Sequence, residues 1–109
     1  MDRVKNIEKM EKIMNDHEAL LEEVNEVLDK LEAHQKDYAK FSAYYSSEEW
    51  FDDFEALNNG DLPEDLEAGI LSEDGAYDVI GGQFQTAVRL IELANMMLQE
   101  HTNPGGDEE

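Results

Sequence analysis

The chain has 109 residues, of which 28 are acidic and eight basic, giving a formal net charge of −20. Its length bounds it to one small domain whose stability can lean on a partner subunit, and its charge sets it against phosphate backbones and anionic lipid, so neither direct nucleic-acid binding nor membrane attachment is expected. The absence of cysteine removes disulfides, thiolate catalysis and cysteine-type zinc sites together, and the charged start Met1-Asp2-Arg3-Val4 is not an apolar leader, which predicts a cytoplasmic protein.

From Ile7 onward apolar residues recur at a three-four spacing: Ile7, Met10, Met14, Leu21, Val24, Leu28 and Leu31, with His17 inside the same stripe. That period predicts a long amphipathic helix over residues 2–45, about 65 Å long if unbroken. A flanking row at Ile13, Leu20, Val27 and Phe41 widens the stripe to three positions per heptad, as a bundle helix with more than one neighbour requires.

Ser46 followed by Glu49 has the form of a capping box, with Tyr45 and Trp50 at the staple positions, so a short helix is expected from Ser47. It presents Trp50, Phe54 and Leu57 on one face and should stop at Asn58-Asn59-Gly60. Asp61, Pro63 and Glu64 then repeat a helix-start pattern, predicting a helical turn that ends near Gly69. Residues 46–71 are thus read as short acidic helices and turns.

Ser72 is expected to cap a last long helix over residues 72–101, with Glu73 and Asp74 favouring its first turn. Its stripe is Tyr77, Ile80, Phe84, Ala87, Ile91, Ala94 and Leu98. Gly81-Gly82 interrupts it at a cost of roughly 1 kcal/mol per glycine relative to alanine, which predicts a kink or a close backbone approach to the first helix, with a functional hinge as the alternative. Residues 103–109, Asn-Pro-Gly-Gly-Asp-Glu-Glu, read as a disordered acidic tail after a single domain over 1–102. The fold class is therefore all-α: two long antiparallel helices joined by a short helical middle. A two-helix hairpin leaves one side of each stripe wet, so a homodimer closing the stripes into a bundle is expected.

The run Tyr44-Tyr45, Ser47, Glu49-Trp50, Asp53, Gly60, Leu62-Pro63, Asp65-Leu66, Gly69 to Asp74 and Tyr77-Asp78 resembles the bacterial family known as domain of unknown function 4298. The resemblance covers most of the chain and implies a small helical protein with no known activity, so it carries over no functional residue. Two departures stand out: Glu67-Ala68 occupies a place where that family usually has a basic residue or two, and Gly81-Gly82 is atypical.

Catalytic and metal chemistries find little support. An EF-hand aligned on Gly60 puts Leu57 and Leu66 at liganding positions three and twelve. Only a looser divalent site from Asp52, Asp53 and Asp61 stays open. The residues three before His17, His34 and His101 are Met14, Leu31 and Leu98 instead of the glutamates of a di-iron bundle. His17 and His34 read as hydrogen-bonded core or interface residues, and Ser46, Ser47 and Ser72 as caps. No metal, cofactor or enzyme activity is expected. Trp50 and Phe51 beside Asp52-Asp53 form either an interface anchor or a core staple.

Charge is the most informative feature. Residues 46–74 hold eleven acids and no base, and no basic residue occurs between Lys40 and Arg89. Uncompensated charge of this kind opposes compaction and favours a basic protein partner, with Asp52, Asp53, Glu55, Asp61, Glu64, Asp65, Glu67, Glu73 and Asp74 as the binding candidates. The expected function is an acidic interaction protein that imitates nucleic-acid charge and inhibits a basic nucleic-acid-binding enzyme, in the manner of a phage anti-defence protein such as an anti-CRISPR. The alternative is a structural or adaptor bundle whose charge serves solubility.

Overall fold

A computed structural model describes residues 2–72 and 74–108, with side chains as far as Gln99. Four α-helices, α1 (Asp2–Ala33), α2 (Gln35–Tyr45), α3 (Glu48–Asn58) and α4 (Gly75–Glu108), and a 3-10 turn at Gly69–Leu71 make up its regular structure. No strand occurs among the described residues, so the all-α class holds. The chain separates into two compact units, Met1–Phe41 and Ser42–Glu109. The acidic tail expected at 103–109 lies beyond the described side chains.

The first unit is helical throughout. Every described residue of α1 is exposed, including Ile7, Met10, Met14, Leu21, Val24, Leu28 and Leu31 of the predicted stripe and His17 within it. The helix is not unbroken to Tyr45 as the periodicity suggests, because it pauses at His34. There the His34 N–H is shared between the carbonyls of Lys30 (3.1 Å) and Leu31 (3.2 Å), while the Gln35 side-chain amide also donates to Leu31. Competition for one carbonyl tightens that turn, and the ladder resumes with the Tyr38 N–H donating to His34 at 2.9 Å.

The second unit starts with a one-residue correction. Ser46 closes α2, its hydroxyl donating to the Ser42 carbonyl, and Ser47 is the cap of α3, extended at φ −99°, ψ 164°. The Ser47 hydroxyl accepts from the Trp50 N–H at 3.2 Å and donates to the Tyr44 carbonyl at 2.6 Å. With Trp50 rather than Glu49 three residues past the cap, the predicted capping box does not form. The end of α3 follows expectation: Gly60 has φ +79°, and the N–H groups of Asp61 and Gly60 donate to Ala56 (2.9 Å) and Leu57 (3.1 Å), the paired bonds of a Schellman motif.

No helical turn forms across residues 61–68. The segment contains a single turn in which the Leu66 N–H reaches the Pro63 carbonyl at 3.2 Å, and the 3-10 turn begins at Gly69, where the predicted helix was to end. Pro63 biases Leu62 away from the helical region. Asp61, Glu64, Asp65 and Glu67 also crowd one short stretch, too little chain to offset the cost of nucleation. The 3-10 turn packs against both α3 and α4, and the two buried residues of the described chain, Leu71 (4 % exposed) and Ala76 (2 %), lie at that junction.

α4 begins at Gly75 rather than at Ser72, but the Ser72 hydroxyl still holds that start, accepting from the Gly75 N–H at 3.0 Å and donating to the Gly69 carbonyl at 2.8 Å. Gly81-Gly82 does not end the helix, which runs through both. Among the described residues a Cβ built on either meets nothing within 4 Å.

Candidate acidic interaction face

The central segment is held by a hub of aromatic and hydroxyl side chains. Trp50 is its centre: its ring meets Tyr45 edge-on at 5.3 Å and stacks on Phe54 at 5.1 Å. Its indole N–H donates to the Ile70 carbonyl at 2.8 Å, spanning twenty residues of sequence. That bond fastens the 3-10 turn to α3, and Ser72 and Gly75 fasten α4 to the same turn. Trp50 is therefore half-buried and packed within the hub. Phe51, its neighbour in the proposed anchor, is 54 % exposed beside Asp52.

Tyr44 adds a second tie, its hydroxyl donating to the Asp53 carboxylate at 2.6 Å. This bond raises the Tyr44 pKa from 10.0 to about 12, helped by partial burial and by the negative charges of Asp53 and Glu49. Asp53 is accordingly half-buried and bonded rather than a free surface carboxylate. Of the other partner-binding candidates, Asp52 and Glu55 are exposed on α3, Asp61, Glu64, Asp65 and Glu67 on the loop, and Asp74 just before α4. Glu73 lies outside the described residues.

Among the described residues no cation stands within ion-pair distance of the carboxylates on this face. Both ion pairs among the described residues, Lys12–Asp16 at 2.8 Å and Lys40–Asp37 at 3.7 Å, belong to the first unit. No three histidine, aspartate or glutamate side chains gather among the described residues as a metal-binding group, so Asp52, Asp53 and Asp61 do not assemble the looser divalent site left open above. No described helix is long and apolar enough to cross a membrane.

A family model for Domain of unknown function (DUF4298) matches residues 7–93 and so contains the whole hub. The chain belongs to this family. No curated protein matches it, nor does any solved structure. In this DUF4298 chain the motif residues Tyr44, Tyr45, Ser47, Trp50 and Asp53 are the ones that tie the hub together, and Gly69 to Ser72 supply the turn it grips. Gly75 was missed by sequence reasoning. A Cβ there would lie 2.6 Å from the Ser72 hydroxyl and 2.9 Å from the Gly69 carbonyl, and the only available signal was its place three residues after a serine cap.

Proposed function

We propose that the protein is a non-catalytic, cytoplasmic acidic interaction protein whose central face occupies a basic groove on a nucleic-acid-binding enzyme, the physical profile of an anti-defence inhibitor such as an anti-CRISPR. The observation that carries this reading is a set of exposed carboxylates at Asp52, Glu55, Asp61, Glu64, Asp65, Glu67 and Asp74 with no ion pair among the described residues of the segment. They stand on a hub already ordered by the Trp50 and Tyr44 bonds, so little entropy remains to be lost on binding. Like charges held together without neutralisation lower stability, and a basic partner relieves that strain.

A second reading, a structural or adaptor homodimer, is supported by apolar stripes that stand in solvent on α1 and α4. The two readings are compatible, since the stripes and the acidic face use different residues.

The test is capture from a lysate of the source cells at low and high salt, followed by competition with duplex DNA. The expected result is a basic nucleic-acid-binding protein released by salt and by DNA, and lost when Asp61, Glu64 and Asp65 are changed together to lysine. Glu22→Lys with Glu26→Lys, on α1, should leave capture intact. If that control weakens capture as much as the central triple change, binding follows diffuse net charge and the proposed face is wrong.

A further inference from the structure

Helix α4 differs from the rest of the chain in charge. Between Val79 and Gln99 its charged residues are Arg89 and Glu92, one of each sign, in a molecule of −20. Its stripe is open to solvent, with Phe84 70 %, Ile91 69 % and Leu98 61 % exposed. Val88, Leu90 and Met97 on its flanks are exposed too. A helix apolar over so much of its circumference is stable only when covered.

We propose that α4 pairs antiparallel with α4 of a second copy, about a two-fold axis at the level of residue 89. The register sets Phe84 opposite Ala94 of the second copy, and Ala87 opposite its Ile91. This rests on the self-association reading above and adds the helix, the orientation and the register.

Charge selects the helix. Every stripe and flanking position from Ile80 to Leu98 is uncharged, and Arg89 and Glu92 fall on the outer face of the heptad. The stripe of α1 is the opposite case, because it is flanked by Glu11, Glu18 and Glu32 on one side. Two α1 stripes brought together antiparallel would set those flanking acids against one another.

Size and charge together select the orientation. In the antiparallel register Phe84 meets Ala94 and Ile91 meets Ala87, whereas a parallel pair stacks Phe84 on Phe84 and Ala87 on Ala87, layers that want different helix separations. A parallel pair would also bring together the two segments of residues 46–74, each with eleven acids and no base. The antiparallel pair holds the N-terminal ends of α4 about 40 Å apart, several times the screening length of about 8 Å at physiological salt.

The chain's lack of cysteine makes the test direct. Single cysteines are introduced at Val88, Leu90, Phe84, Leu98 and, on α1, Leu21, and treated with a short bismaleimide, while light scattering gives the mass of the unmodified protein. The expected result is a dimer mass, with Val88→Cys and Leu90→Cys crosslinking to themselves. Phe84→Cys and Leu98→Cys should not do so alone, but Phe84→Cys should crosslink when mixed with Ala94→Cys. Self-crosslinking at all four α4 positions overturns the orientation. Crosslinking at Leu21 with none in α4 overturns the choice of helix while leaving self-association standing. A monomer mass at micromolar concentration overturns both.

Discussion

Tyr44 and Asp53 show how one hydrogen bond can define a residue's role against its composition. Asp53 belongs to the most acidic stretch of the chain, yet it accepts the Tyr44 hydroxyl at 2.6 Å and so serves the hub. The Tyr44 pKa is raised from 10.0 to about 12 because its neutral form donates that bond and its ionised form would face a carboxylate. The native state therefore holds the proton more tightly than the unfolded chain. The stabilisation is complete below pH 10 and is lost as the pH rises through about 12. Ultraviolet titration should find one tyrosine ionising later than the rest, and Tyr44→Phe should remove that late step. The same change should cost about 1 kcal/mol at neutral pH, because the bond is only half-buried. Gly75 is the other decisive single position. A methyl group there collides with the backbone carbonyl of Gly69, so Gly75→Ala should lower stability by about 1–3 kcal/mol in chemical denaturation, the ordinary range for overpacking.

At the level of elements, helix ends are set by which side chain reaches the free N–H groups. Ser46 and Ser47 are adjacent and chemically identical, but only Ser47 takes up the extended backbone of a cap and accepts from Trp50. Ser46 turns back onto the Ser42 carbonyl. Ser47→Ala should therefore destabilise by about 1 kcal/mol, while Ser46→Ala should be nearly neutral. Equal effects from the two changes would show that the cap sits elsewhere. The loop over residues 61–68 makes the converse point. It has the residues of a helix start, but Pro63 and four neighbouring carboxylates leave it a single turn, and this keeps Asp61, Glu64, Asp65 and Glu67 exposed between two anchored ends.

For the whole molecule, uneven charge and uncovered apolar stripes act in opposite directions. Twenty uncompensated negative charges repel one another in the folded state, so monovalent salt should raise the thermal midpoint progressively. Calcium added at stoichiometric amounts and matched ionic strength should add nothing further, since no metal-ligating group of three forms among the described residues. A rise of several degrees with stoichiometric calcium would show that the acidic loop closes around the ion.

The sequence by itself determined whatever depends on neighbours within one or two turns. The three-four spacing from Ile7 to Leu31 and from Tyr77 to Leu98 marked both long helices, and Asn58-Asn59-Gly60 marked the end of α3 because positive φ is a local demand that glycine meets. Charge counting located the negative pole at residues 46–74. The structure alone decided the contacts that cross the 61–68 loop: the Trp50 indole on the Ile70 carbonyl, the packing of Leu71 and Ala76, and the tight fit at Gly75. It also decided that Asp53 is tied to Tyr44 while Asp61 and Glu64 stay in water. Periodicity and capping patterns record interactions along one helix. The path of a loop with no repeat depends on how its two ends pack, and nothing within a few residues of Glu64 encodes where Ile70 will meet Trp50.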